Sequence, residues 1–279
     1  MHGRTRHNDA PALCVLASGS SGNCTVLRTG QGLLLIDAGL SPRRTAAALG
    51  ALGHTIEDVA AIVLTHLDSD HFYNTWATRL PTGVTLWAHA AHAPERSLEA
   101  PRNAGRLRAF TQDAFEPMPG VVIASLLARH DASGVATLRV RTRAGELGYL
   151  TDLGTVTDSL VEFHKGVDVL AIESNYCPRL QARSPRPDFL KRRIMGGAGH
   201  LSNHQCLKAT EAIAPTWHAV FLHLSSECNR PEIVATLHEG AHYARTIATP
   251  HAPTRWIPLA EPQGLVGTPI PTAAHGAGA

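Results

Sequence analysis

The chain has no Cys-x-x-Cys pair; its five cysteines, Cys14, Cys24, Cys177, Cys206 and Cys228, are scattered and odd in number. That spacing fits neither a zinc knuckle nor a disulfide framework, so the thiols read as buried or idle. Charge is scarce as well. Charged residues make up 17% of the chain and the formal net charge is +2, far from the basic balance that holds a protein to nucleic acid by charge alone. Any nucleic-acid contact therefore has to be local. No stretch reaches the roughly 18 apolar residues of a membrane-spanning helix, and the opening MHGRTRHNDAPA lacks the apolar core of a secretory signal. The expected location is the cytoplasm, with no membrane partner.

What the chain does have is bulk and histidine. A hydrophobic share of 44% over 279 residues can fill a sizeable core. Seventeen histidines are many for this length, and imidazole is the commonest metal ligand. Abundance alone decides nothing: His2, His7, His251 and His275 lie in terminal or Pro-rich segments and read as solvated.

The opening reads as a β-meander, with apolar runs at Leu13–Ser18, Thr25–Arg28 and Leu33–Asp37 separated by Gly-rich turns. A helix follows, with Ser41 as its cap, Pro42 at its first position and Gly53 beyond its end. Val59–Leu64 reads as a buried strand, and further strands are expected at Val84–Ala88, Val121–Leu127, Ala136–Thr142 and Glu146–Thr151. Beyond Asp152, helices at Thr157–His164, Pro187–Met195, Asn203–Ile213 and Pro231–His242 alternate with strands at Val167–Ile172 and Ala219–Leu224. No internal linker divides the chain. Residues 1–11 are expected to be a disordered N-terminal segment, 12–261 one hydrolase domain, and 262–279 a loose Pro/Gly/Ala/Thr-rich tail.

The strand at Val59–Leu64 runs into Thr65-His66-Leu67-Asp68-Ser69-Asp70-His71. Four potential ligands in six residues cannot all face one way on a strand or helix, so a loop has to wrap them round a common centre, and a divalent ion is the usual reason. The bland alternative is a polar surface turn, which Asp, Ser and His also populate.

This stretch resembles the metallo-β-lactamase signature T-H-x-H-x-D-H. Leu16-Ala-Ser-Gly-Ser-Ser-Gly-Asn23, Ile36-Asp-Ala-Gly39, His130-Asp-Ala132, Tyr149-Leu-Thr-Asp152, Glu173-Ser-Asn175, Gly199-His-Leu-Ser-Asn203 and His223-Leu-Ser225 are together similar to the WalJ (YycJ) branch of that superfamily. The motifs occur in order over about residues 13 to 230. The resemblance implies an α/β fold, a four-layered αββα sandwich, with a two-metal site at one edge. It also implies that His66, Asp68 and His130 hold one ion, that Asp70, His71 and His223 hold the other, and that Asp152 bridges them. Asp70, Asp152 and His200 are the expected catalytic residues. Two such ions can share and acidify a water, so hydrolysis is the implied reaction.

Position 68 is Asp where the resembled family has His. A hard anionic oxygen there favours manganese, iron or magnesium relative to zinc; the two divalent ions are expected to be zinc or manganese, with iron a further candidate. Direct ligation by Asp68 is the expectation, and a water-mediated contact or a weakened first site are the alternatives.

Three further features bear on substrate. The Ser18–Asn23 loop either offers backbone N–H groups to an anion or is a tight hairpin turn. His200 is expected to face substrate, donating to a phosphate oxygen or protonating the leaving group, while Ser202 or Asn203 caps the next helix. Arg179, Arg183, Arg186, Lys191, Arg192 and Arg193 either track a phosphate backbone or form a solvated face. His54, His89, His92, His164, His204, His218, His238 and His242 match no ligand position, which leaves them core or surface roles. The leading expectation is a phosphodiesterase acting on DNA as a 5′-to-3′ exonuclease. The alternatives are a hydrolase of a small thioester, lactone or cyclic phosphate, and a non-enzymatic metal-binding protein with a decayed site at Asp68.

Overall fold

Leu33, Leu34, Leu35 and Ile36 form an unbroken apolar run, and all four side chains are buried. A strand reads this way only if both its faces are covered. The structure is a computed structural model that describes residues 10–130 and 132–261. Most of the two expected terminal segments, residues 1–9 and 262–279, lie outside the described residues.

The chain first lays down β1 (Ala12–Ala17), β2 (Cys24–Thr29), β3 (Gly32–Ile36), β4 (Val59–Val63), β5 (Thr85–His89) and β6 (Leu107–Phe110). Next come β7 (Phe115–Met118), β8 (Val121–Ala128), β9 (Val135–Arg141), β10 (Glu146–Leu150) and β11 (Val169–Glu173). The last are β12 (His218–Leu222), β13 (Ala244–Ile247) and β14 (Ile257–Pro258). Two seven-stranded sheets result, in the orders β14-β1-β2-β3-β4-β5-β6 and β13-β12-β11-β10-β9-β8-β7. Within each, an antiparallel half joins a parallel half: β3 through β6 run parallel, as do β10 through β13.

Successive side chains on a strand point to opposite faces, and the core divides accordingly. Leu34 and Ile36 of β3 meet Val169 and Ala171 of β11 and Val220 and Leu222 of β12 between the sheets. Leu33 and Leu35 face outward onto Leu49 of α1 (Pro42–Ala51) and Trp76 of α2 (Thr75–Thr78); α3 (Glu99–Asn103) lies on this half of the chain too. Leu170, Ile172 and Phe221 face outward onto Leu160 of α4 (Asp158–His164). Between α4 and the next outer helix come α5 (Pro178–Arg183) and α6 (Asp188–Met195). Cys206, Ala209 and Ile213 of α7 (Asn203–Ile213) and Val234 of α8 (Pro231–Leu237) complete the second outer layer. The layers are helix, sheet, sheet, helix, the αββα sandwich that the sequence led us to expect.

Local chemistry sets the helix starts. Ser41 Oγ accepts from Arg44 N at 3.3 Å with Pro42 at the first position. Ser202 caps α7 in a reciprocal box with Gln205, so the cap is Ser202, and Asn203 instead turns inward to bond Ser174 and Asn229. The helix expected over Pro231–His242 ends earlier, at Leu237. Four strands beyond the expected set, β6, β7, β13 and β14, are the outermost strands of the two sheets. Among the described residues no helix is long and apolar enough to cross a membrane.

Parallel strands have one common C-terminal rim, where an open α/β sheet offers its ligands a crevice. Asp37 follows β3, His66 lies beyond β4, His130 beyond β8, Asp152 beyond β10 and His223 beyond β12, while Glu173 ends β11. The turn after β1 joins the same rim, since Ser18 Oγ accepts from His223 N at 2.8 Å.

Candidate metal centre

Backbone geometry at this rim departs from that of ordinary strand ends. Asp37, Asp152 and His223 hold φ values of 61°, 50° and 54°, left-handed conformations that cost non-glycine residues on the order of 1–3 kcal/mol each. Each follows a buried strand and turns its side chain to the rim. Gly39 meets a harsher constraint: a Cβ there would lie 1.8 Å from Asp70 O, so only glycine lets the 37–40 segment pass beneath the loop at 66–71. The Asp70 carbonyl accepts from Asn23 N at 2.7 Å, which joins the β1–β2 turn to that loop.

The seven residues expected as ligands converge. His66, Asp68 and His130 form one group, Asp70, His71 and His223 another, and His66, His71 and Asp152 a third, each with its donor atoms within 4.8 Å of one another. Asp152 Oδ2 lies 3.5 Å from His66 Nε2 and 2.5 Å from His71 Nε2, while its Oδ1 lies 2.7 Å from His223 Nδ1. Asp68 Oδ2 stands 3.9 Å from His66 Nε2 and 3.7 Å from His130 Nε2, so its carboxylate occupies the place between those two rings. Asp70 Oδ2 is 3.2 Å from His223 Nε2.

Supporting bonds fix the rings. His71 Nδ1 donates to Asp37 Oδ2 at 2.8 Å, and Asp37 also accepts from Thr65 N and Oγ1. His130 Nδ1 donates to Gly199 O at 3.2 Å. His200 Nδ1 donates to Glu173 Oε1 at 2.6 Å and lies 3.1 Å from Asp152 Oδ1. Glu173 is fully buried, and its other oxygen accepts from Leu153 N and Leu201 N.

These neighbours set the protonation. Burial, and then the charge of His71, keep the His66 pKa well below the usual imidazole value. Burial opposes charge on His71 too, yet the carboxylates of Asp152 and Asp37 outweigh it and carry the pKa up to about 10. His223 is raised well above its usual value, Asp152 outweighing burial. His200 is carried up to about 9, Glu173 and Asp152 prevailing over burial. Burial would push Asp152 up, but His223 and His71 hold it well below the carboxylate range. Carboxylates that make imidazoles this basic also make them strong ligands once a cation displaces their protons.

Glu173 and Asp37 belong to motifs that carry the resemblance, yet their roles, holding His200 and His71, emerge only from the structure. An acidic residue at the end of a buried apolar run, Leu33–Ile36 or Val169–Ile172, is the available signal for both. The turn at Ser18–Asn23 is a hairpin turn closed by its own groups: Asn23 Oδ1 accepts from Gly19 N at 2.8 Å and from Ser18 Oγ at 3.1 Å. Of the basic run, Arg186 and Arg193 line the cavity that Asp68, Asp70, Asp152 and His200 also line. Arg179 and Arg183 line a different one beside Cys177 and Ile233, and Lys191 Nζ donates to Ala182 O.

A family model described as the β-lactamase superfamily domain matches residues 33–224. The chain is 30% identical over 229 residues to exodeoxyribonuclease WalJ of Streptococcus pneumoniae serotype 2 (strain D39 / NCTC 7466), covering 78% of this chain and 83% of that protein. The chain belongs to the metallo-β-lactamase superfamily, in its WalJ-like branch. Exodeoxyribonuclease YycJ of Bacillus anthracis is 29% identical over 231 residues, covering 78% of this chain and 84% of that protein. Among solved structures, the metallo-β-lactamase fold protein YhfI of Bacillus subtilis superposes with a TM-score of 0.65 at 15% identity, over 88% of this chain and 99% of that one.

As a member of this superfamily the chain is a metal-dependent hydrolase, and the fold implies divalent ions. The residues present fit them. His66 Nε2 and Asp152 Oδ1 are buried and make no hydrogen bond, although charged groups crowd both. Imidazole nitrogen and carboxylate oxygen are the donors that divalent ions take, and these two residues belong to a group, with His71, whose donor atoms lie within 4.8 Å of one another.

Proposed function

We propose that the chain is a phosphodiesterase acting on DNA as an exonuclease, with His66, Asp68 and His130 holding one ion, Asp70, His71 and His223 the other, and Asp152 bridging them. The carrying observation is the placement of Asp152 and His200. One carboxylate touches both ligand groups, and an imidazole held by Glu173 stands beside it on the wall of the same cavity. The names of the relatives, exodeoxyribonucleases both, support the choice of DNA.

Divalent ions bound there would acidify a water and offset charge on the attacking and leaving oxygens. The chain's own groups do the rest. Asp152 and Asp70 orient the attacking water by accepting its hydrogens. Glu173 accepts the Nδ1–H of His200 and keeps the ring charged, which leaves the Nε2–H to be given to a phosphate oxygen or to the departing alkoxide. Arg186 and Arg193 supply positive charge on the same wall, which a phosphodiester meets and a neutral lactone has no use for.

The test is an oligonucleotide labelled at one end or the other, incubated with the manganese-loaded protein. Stepwise loss from the 5′ end is expected. Turnover of a thioester or lactone with no cleavage of either oligonucleotide would replace this reading by the small-molecule one.

A further inference from the structure

The ring of Phe189 is 68% exposed, the most exposed large apolar side chain among the described residues. It sits on α6, the helix that walls the metal cavity. Leu190 and Ile194 anchor that helix against Tyr176, Leu180 and Cys228, so Phe189 is not needed to hold it in place. At 3.6 residues per turn, Phe189 and Arg193 share one stripe, four residues apart, and side chains so spaced are neighbours about 5–6 Å apart at Cβ. Arg193 lines the cavity that Asp68, Asp70, Asp152 and His200 also line. Arg186 reaches the same wall just before the helix, where Glu227 Oε2 accepts from its Nε at 2.8 Å and Ser225 Oγ from its NH2 group at 3.4 Å.

We infer that α6 is a single-strand platform: Phe189 stacks on a base next to the reacting nucleotide while Arg186 and Arg193 hold the phosphates on either side of that base. The inference deepens the phosphodiesterase reading and rests on it. Two physical facts favour a single polynucleotide strand as occupant. An exposed aromatic face beside guanidinium groups is how sequence-tolerant single-strand sites are built. The cavity itself, about 270 Å³, lies at the lower edge of small-ligand sites, about 300–1,000 Å³, a size suited to the end of one strand rather than to the width of a duplex. The small overall charge agrees, since the contact is confined to one helix and its approach.

The experiment is fluorescence anisotropy of a labelled phosphorothioate-linked oligothymidylate over a salt series, with the metal-loaded wild type, Phe189→Ala, Phe189→Trp and Arg193→Gln. Phe189→Ala is expected to weaken binding about tenfold at every salt concentration, the size of one base–aromatic stack, and Phe189→Trp to keep it. Arg193→Gln is expected to lower the slope of log K against log salt by about 0.7, one phosphate contact to a single strand. The ratio of kcat/KM for oligonucleotide to that for bis(p-nitrophenyl) phosphate falls in Phe189→Ala by the same tenfold. Wild-type cleavage of the oligonucleotide with Phe189→Ala binding as tightly as wild type would overturn the platform and leave the phosphodiesterase reading standing. A wild type that neither binds nor cleaves the oligonucleotide would overturn both.

Discussion

His71 and Asp37, 34 positions apart in sequence, meet in the interior with Nδ1 2.8 Å from Oδ2, and neither side chain has any exposed surface. The bond holds the imidazole in one orientation with Nε2 turned to Asp152 and Asp70. Asp37→Asn replaces a full carboxylate by a weaker acceptor and leaves the packing volume unchanged. Metal affinity is expected to fall 10- to 100-fold, measured by titration against a chelating dye, with the far-ultraviolet circular dichroism spectrum retained. An unchanged affinity would mean that Asp37 serves Thr65 and the loop backbone alone.

Glu173→Gln removes the charge that holds His200 charged and oriented. A general acid matters most for a poor leaving group. The variant should therefore lose roughly 10²-fold or more in kcat on a dinucleotide and much less on bis(p-nitrophenyl) phosphate, whose leaving group needs no proton. Equal losses on both substrates would assign Glu173 to structure.

Asp68 offers an oxygen between His66 and His130 where a third imidazole would offer nitrogen. Asp68→His should move the preference of that position from manganese toward zinc by about tenfold or more, following donor hardness. Competitive loading read by elemental analysis measures it, and an unaltered zinc-to-manganese ratio would place Asp68 outside direct ligation.

His164 lies at the core with Nε2 3.1 Å from Thr137 Oγ1, and burial, then Arg139, push its pKa down to about 3. Burial likewise lowers His218 and His238 to about 4. A folded-state pKa below the unfolded value of about 6.5 means that the unfolded chain binds more protons between those values. Stability is thus lost as pH falls through that window, by about 1.4 kcal/mol per pH unit for each such histidine. His164→Leu removes one of them, so its urea-unfolding free energy should drop about 2 kcal/mol less than that of wild type between pH 6.5 and 5.0. Parallel pH profiles would contradict the burial of a neutral imidazole there.

The interior strands were legible because burial on both faces writes itself as unbroken apolar runs, as in Leu33–Ile36 and Val169–Ile172. The four edge strands were not. β6 carries the exposed Arg108, β7 contains Glu116 and Pro117, β13 carries Arg245, and β14 is two residues long. An edge strand has fewer covered positions and tolerates charge and proline, so its pattern fades into that of a loop. The stretch at 66–71 was visible as a candidate ligand loop because four donor side chains crowd it. Glu173 and Asp37 gave no comparable signal of role, since the imidazoles they hold are 27 and 34 residues away. The basic run looked like one surface in sequence, and chain direction between α5 and α6 sends its members to different cavities.

The shared carboxylate is the centre of the account, and Asp152→Ala tests it. Wild-type and variant protein are analysed for bound metal and assayed on bis(p-nitrophenyl) phosphate in manganese and in zinc. Two ions per wild-type chain, fewer in the variant, and turnover lost with them is the predicted result. A wild type with no bound metal and no metal-dependent turnover, or a variant as active as wild type, would contradict it.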